Sequence, residues 1–277
     1  MGRIIVVTSG KGGVGKSTTS ASFALGLALR GYMTLLIDFD IGLRNLDLLL
    51  GHEKRIVYDI VNVMREEVAL QDAVVKDLRC SRLALLPGSQ FEDKEVLERR
   101  GIAKLLSEAR KKYQYVVCDS PAGIEKGADM AMYFADDALL VATPERPSVR
   151  DADRMIGLLT NRTYRAEKGL EDIAPYLVIN RYRHSLAKRG IALTPKQILD
   201  NLSIPLIGII PDSESVTRAA NIGEPVVYDH KSAAGNAYAD TVARYLGDSV
   251  AYTLLHEGKR SIRSRLFGNK RVHLNDE

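Results

Sequence analysis

The opening residues of this chain constrain its fold more than anything that follows. The apolar run Arg3-Ile4-Ile5-Val6-Val7-Thr8 leads at once into Gly10-Lys11-Gly12-Gly13-Val14-Gly15-Lys16-Ser17, and helical periodicity then runs from Lys16 to Arg30. A strand that passes through such a turn into a helix opens a βαβ unit, so the next strand must lie parallel to the first. Glycines without Cβ let the backbone N–H groups curl round phosphate oxygens, and the following helix points its positive end at them. On this pattern Lys16 reaches the β- and γ-phosphates, the Ser17 hydroxyl ligates Mg²⁺, and Thr18 bonds an α-phosphate oxygen. A glycine-rich turn with incidental lysines is the bland alternative, but the placement between strand and helix favours a nucleotide site. Lys11 is a second lysine in the loop. It can fold back on its own phosphates, or reach across a two-fold axis into a partner's site as arginine fingers do.

The rest of the chain repeats the alternation. Short runs rich in Val, Ile and Leu recur at Thr34 to Ile37, Leu83 to Leu86, Tyr115 to Cys118, Ala138 to Ala142, Tyr176 to Ile179 and Leu206 to Ile210. Helical patterns lie between most of them: Lys94 to Lys112, Lys126 to Phe134, Ser148 to Thr160, Ser213 to Ala220 and Ser232 to Leu246. Strands apolar on both faces and separated by helices predict a three-layer α/β domain over about residues 1–248, its mostly parallel central sheet flanked by helices on both faces. With 45% hydrophobic and 27% charged residues, disordered and collagen-like chains are excluded. No run of about 18 apolar residues occurs and the amino terminus lacks a cleavage region, which predicts a cytoplasmic protein that is neither exported nor membrane-spanning. Cys80 and Cys118 sit in or beside apolar runs without metal-ligand spacing, so a disulfide framework or iron–sulfur cradle is not expected.

Hydrolysis also needs groups that hold the metal and orient a water. The second strand ends Ile37-Asp38-Phe39-Asp40 and the fourth ends Cys118-Asp119-Ser120-Pro121-Ala122-Gly123. In open parallel sheets the ligand crevice lies beyond the carboxyl ends of the strands, where the glycine-rich loop also sits. Apolar residues followed by Asp119 give the pattern in which a carboxylate holds Mg²⁺. Asp38 and Asp40 alternate about Phe39 and share one face if the chain stays extended, one supporting the metal shell while the other positions the attacking water. Asp47, Asp136 and Asp137 lack this placement and are expected to be solvated or capping.

At this point the residues resemble a known family. Lys11-Gly12-Gly13-Val14-Gly15-Lys16-Ser17 matches the deviant Walker A motif of the MinD/ParA family of P-loop NTPases. Asp38-Phe39-Asp40-Ile41-Gly42-Leu43-Arg44-Asn45 and Cys118-Asp119-Ser120-Pro121-Ala122-Gly123 resemble its septum-site-determining branch. The resemblance implies an ATPase that forms a homodimer on binding Mg-ATP. Lys11 would act in trans, Lys16 and Ser17 on phosphate and metal, Asp40 on the water, and Asp38 and Asp119 around Mg²⁺. It further implies that Asn45 lies near the phosphates and that Asn180, Arg181, Pro211 and Asp212 form the adenine pocket. The implied partners are a MinC-like division inhibitor and a MinE-like activator, near Ser148, Asp151 and Asp153.

The net charge of +4 is carried entirely by residues 258–277, leaving residues 1–257 formally neutral, which argues against a broad nucleic-acid face. Residues 249–277 read as an appendage. A helix over about 259–268 would bring Ile262 and Leu266 together with Phe267 nearby and cations around them. So short a helix needs a surface to fold on, and an anionic membrane supplies both apolar burial and charge. One copy makes a reversible anchor; two copies in a dimer gain avidity of about 10²–10⁴. The predicted place is therefore peripheral, on the inner face of the cell membrane. The family's usual tail has a further apolar residue where Arg263 stands and ends near Gly268, whereas Asn269 to Glu277 follow here. A ParA-like DNA partition ATPase and a flagellar-placement ATPase are the rival readings.

Overall fold

The computed structural model describes residues 1–123 and 126–252. The expected membrane helix, with Ile262, Leu266 and Phe267, lies outside the described residues. In chain order the first half runs β1 (Arg3–Thr8), α1 (Lys16–Leu29), β2 (Thr34–Asp38), α2 (Leu46–Leu50), α3 (Ile60–Met64), α4 (Leu70–Ala73), β3 (Val75–Lys76) and β4 (Leu83–Leu86). Next come α5 (Arg99–Lys112), β5 (Tyr115–Asp119), α6 (Lys126–Tyr133), β6 (Asp137–Ala142), α7 (Arg146–Asn161) and α8 (Tyr164–Glu167). The last third holds β7 (Ala174–Tyr182), α9 (His184–Lys188), α10 (Pro195–Leu202), β8 (Leu206–Pro211), α11 (Glu214–Asn221) and α12 (Ala233–Tyr245).

The strands form one sheet in the order β3-β4-β2-β5-β1-β6-β7-β8, parallel except for β3. β3 is a two-residue antiparallel edge too short to carry a sequence period, so the strand expected to be fourth is the fifth. β1 lies between β5 and β6, where the winding changes direction, and a crevice opens at the carboxyl ends there.

Alternation along each strand divides the core in two. Ile4, Val6, Leu35, Ile37, Val116 and Cys118 face one way, onto α5, α6 and α7. Ile5, Val7, Leu36 and Val117 face the other, onto α1 and α12. α1 is buried over most of its circumference, which its run of Ala, Ser, Gly and Leu permits. The helix expected from Lys94 begins as one 3₁₀ turn at Lys94–Val96, and the α-helix proper starts after extended Glu98. No helix among the described residues is long and apolar enough to cross a membrane.

Candidate nucleotide site

The loop between β1 and α1 takes the shape its glycines allow. Gly13 and Gly15 have φ of +76° and +90°, values that side-chain-bearing residues rarely adopt. Gly10 is required for a different reason: a Cβ there would stand 2.5 Å from Cβ of Asp151, so the loop lies directly against α7. The Ser9 hydroxyl donates to the Lys11 carbonyl at 2.9 Å and closes the turn. α1 begins with no side-chain cap and no acid in its first turn, so its amino-terminal N–H groups and positive dipole end are directed at the loop.

Strand register then sets the acids. Asp38 pairs with Asp119 across β2 and β5, so their side chains project to the same face. Counting from Leu36 and Val117, that is the face covered by α1, where Lys16 and Ser17 sit. The strand ends are tied to one another: Phe39 N–H donates to Asp119 O at 3.0 Å, Ser120 N–H to Val7 O and Gly123 N–H to Ser9 O, both at 3.1 Å.

Asp119 is buried. Its Oδ1 accepts from the Ser20 hydroxyl at 2.6 Å and lies 3.9 Å from Lys16 Nζ. Burial raises its pKa, against the lowering effects of Lys16, Ser17 and Ser20. Asp38, 1% exposed, accepts from the N–H of Asp40 at 2.9 Å on Oδ1 and of Leu46 at 3.3 Å on Oδ2. Burial, then the charge of Asp119, push its pKa up to about 7 in spite of those two donors. Asp40, half-buried, is also raised by burial, with Lys16 opposing. The strand stops at Asp38, so Asp40 reaches the site through this turn rather than by continued alternation.

Adjoining carboxylates that burial biases toward neutrality, beside a serine hydroxyl, form an all-oxygen donor set suited to a hard divalent cation. Asp38, Asp119 and Ser17 therefore fit Mg²⁺.

The other expected residues fall in several places. Lys11 is half-exposed and pairs with Glu145 at 3.4 Å. Asn45 is exposed at the start of α2, without a side-chain capping bond. Asn180 lies under the loop, its Nδ2 donating to the Val14 carbonyl at 2.7 Å, and a Cβ on Gly15 would come within 2.2 Å of that nitrogen. Arg181 follows with φ of 55°, and Pro211 and Asp212 stand beside it at the end of β8. Among the partner residues Asp153 is exposed on α7 and Asp151 half-buried. Ser148 turns inward: it is 3% exposed and its Oγ accepts from Thr143 N–H at 2.9 Å.

Asp47, Asp136 and Asp137 are not solvated. Asp47 is buried and pairs with Arg44 at 2.8 Å. Asp136 takes Arg110 and Arg165 at 2.8 and 3.1 Å. Asp137 takes two nitrogens of Arg3, each at 2.6 Å, and the Tyr245 hydroxyl at 2.7 Å. Sequence reasoning missed Ser20, which holds Asp119 and lies one helical turn after Lys16, a spacing that could have revealed it. It also missed Glu145 and Arg183, for which no local signal exists.

Comparison with known proteins follows the same lines. The profile of the CobQ/CobB/MinD/ParA nucleotide binding domain matches residues 5–226. The septum site-determining protein MinD of Neisseria meningitidis serogroup B is 50% identical over 271 residues, spanning 97% of this chain and 100% of the relative. Its counterpart in Escherichia coli is 51% identical over 269 residues, with the same coverage of 97% and 100%. Among solved structures, the MinC:MinD cell division protein complex of Aquifex aeolicus superposes with a TM-score of 0.81 at 42% identity, covering 90% of this chain and 98% of that one. MinD of Pyrococcus horikoshii complexed with Mg-ADP gives 0.76 at 26% identity, covering 88% and 96%.

Proposed function

Since this chain belongs to the CobQ/CobB/MinD/ParA nucleotide-binding family, we propose that it is an ATP-hydrolysing regulator of division-site placement. In this reading it dimerises on ATP, binds the inner membrane reversibly and recruits a division inhibitor. The observation that carries the reading is the phosphate loop with an exposed Lys11 in front of it and Asp38, Asp40 and Asp119 gathered at its side. Near-complete coverage at about half identity to septum-site-determining relatives supports the cellular role.

The residues divide the work. Amides of Gly10 to Thr18 grip the phosphates, and Lys16, nearly buried beside Asp119, neutralises charge on the leaving side. Ser17, Asp38 and Asp119 would hold Mg²⁺, which when bound would offset the negative charge that builds on the phosphates. Asp40 orients the attacking water. Lys11 is held by Glu145 through an exposed pair at 3.4 Å. Such pairs are worth about 0–1 kcal/mol, so Lys11 is released at little cost to reach the phosphates of a second copy. Asn45 lies toward the phosphates, while Asn180, Arg181, Pro211 and Asp212 line the adenine side. The inhibitor docks on the outer face of α7 through Asp153 and the edge of Asp151, with a MinE-like activator near the same residues.

Membrane residence follows from residues 259–268, where Ile262, Leu266 and Phe267 enter an anionic leaflet and two copies act together. The test is sedimentation with vesicles of phosphatidylglycerol and phosphatidylethanolamine. The full chain pellets with Mg-ATP and not with Mg-ADP, and truncation at Gly258 abolishes pelleting. Equal pelleting of truncated and full-length protein removes the anchor; ATP-dependent retention of plasmid DNA without vesicle binding turns the assignment toward partition.

A further inference from the structure

The acids of the site lie at the ends of β2 and β5, to one side of the phosphate loop. On the nucleotide reading, a nucleoside attached to phosphates in that loop leaves on the other side, where β6, β7 and β8 end. The wall there is continuous with the loop. Asn180 touches the Val14 carbonyl, Asp212 N–H donates to Tyr182 O at 3.1 Å, and the Asp212 carboxylate faces Arg183, whose Nε donates to Oδ2 at 2.6 Å. A second guanidinium nitrogen, Nη2, closes on the same oxygen. Both groups are partly open to solvent, with side-chain exposures of 53% for Arg183 and 33% for Asp212.

That pairing matters for the base. An ionised carboxylate offers two acceptor oxygens side by side. Guanine presents two adjacent donors, N1–H and the N2 amino group, and so matches a carboxylate with both oxygens available. Adenine presents one donor, the N6 amino group, next to an N1 lone pair, and so matches one oxygen and is repelled by the second. With Oδ2 engaged by Arg183, Asp212 is left with a single free acceptor oxygen for a base beside it, and its negative charge is offset. We propose that Arg183 is a specificity-determining residue that keeps Asp212 from selecting guanine and so sets the preference for ATP over GTP. This rests on the nucleotide reading of the site given above.

The experiment measures equilibrium dissociation constants of the full chain for Mg-ATP, Mg-GTP and Mg-tripolyphosphate by displacement of a fluorescent ADP analogue. Arg183→Gln shifts the GTP-to-ATP affinity ratio about tenfold toward GTP, the size of one charge-assisted hydrogen bond. Arg183→Lys keeps the charge and restores much of the preference for ATP. Adding Asp212→Asn to Arg183→Gln cancels the gain, because the amide offers one acceptor and one donor. Tripolyphosphate affinity stays the same throughout. An unchanged ratio in Arg183→Gln, with Mg-ATP still bound, overturns the assignment. So does a parallel loss of ATP, GTP and tripolyphosphate binding, which would make Arg183 a cation for phosphate. If the wild-type chain binds no Mg-triphosphate, the nucleotide reading fails instead, and the two failures are thus distinct.

Discussion

Gly15→Ala tests how the phosphate loop is held. The added methyl would sit 2.2 Å from Asn180 Nδ2, and the backbone at φ +90° disfavours any Cβ. Left-handed backbone costs a non-glycine residue about 1–2 kcal/mol. Asn180, 6% exposed, must also move, which breaks its 2.7 Å bond to the Val14 carbonyl. Leaving buried polar partners unpaired costs about 1–3 kcal/mol. The sum is about 2–5 kcal/mol, and a domain of this size loses about 2–4 °C of melting temperature per kcal/mol, so a drop of about 10 °C is expected. Thermal unfolding of the full chain by circular dichroism, with and without Mg-ATP, gives both readouts. The wild type gains stability from the ligand by mass action, whereas the variant gains none. Asn180→Ala on the Gly15→Ala background relieves the clash, so the double variant costs less than the two single changes together. A Gly15→Ala protein that melts within a degree or two of wild type, and still rises with Mg-ATP, refutes this account of the loop.

Three further outcomes follow from the same geometry. Because burial and Asp119 raise the Asp38 pKa to about 7, the folded state holds that proton more tightly than the unfolded chain. The associated stability is full below the ordinary carboxylate range and is lost as pH rises through about 7. One proton bounds the slope at about 1.4 kcal/mol per pH unit, and Asp38→Asn, measured by urea titration of nucleotide-free protein, removes it; equal slopes in the two proteins contradict the assignment. Lys11→Ala retains Mg-ATP binding but stays monomeric by light scattering and loses turnover, while unaltered hydrolysis dismisses the trans role. Asp137→Ala strands the Tyr245 hydroxyl and the half-exposed Arg3, lowering stability by about 2–3 kcal/mol in urea, whereas a change under 0.5 kcal/mol, on the order of a neutral surface substitution, shows the hub to be dispensable.

How much of this was legible in the sequence depends on how far apart the interacting residues lie. The loop, the strand cores and the strand-end acids could be read because each is local: a glycine spacing, an apolar run, a carboxylate just past it. Asp137 could not, because its partner Arg3 is 134 positions away. Asp136 answers to Arg110 and Arg165, brought in by separate helices. The Arg183–Asp212 pair depends on β8 lying beside β7. Ser148 is different, since Ser148, Ala152, Met155 and Leu159 recur at helical spacing and all face inward. Its burial is visible in the period of α7, whereas the resemblance implies only that it lies near a partner.

The ties within the site fall into two mechanical classes. β1, β2 and β5 are joined at their ends by backbone bonds through Phe39, Ser120 and Gly123, and Asp38 further fixes Asp40 and the start of α2. These bonds lie in or beside buried strands, so the carboxylate side of the candidate site is preorganised and, on the proposed reading, pays little reorganisation when a triphosphate arrives. Lys11 and Arg183 are held otherwise, by ion pairs with Glu145 and Asp212 that leave each cation about half-exposed. Exposed pairs of this kind contribute about 0–1 kcal/mol and weaken with salt. On the proposed reading, the rigid elements stand where the reaction needs fixed geometry and the loosely held cations at the two ends of the ligand. On the proposed reading, one cation is freed to meet a second copy and the other adjusts the acceptor seen by the base. Raising ionic strength should accordingly loosen dimer formation and base selectivity together, while leaving the loop-dependent thermal shift from Mg-ATP much less affected.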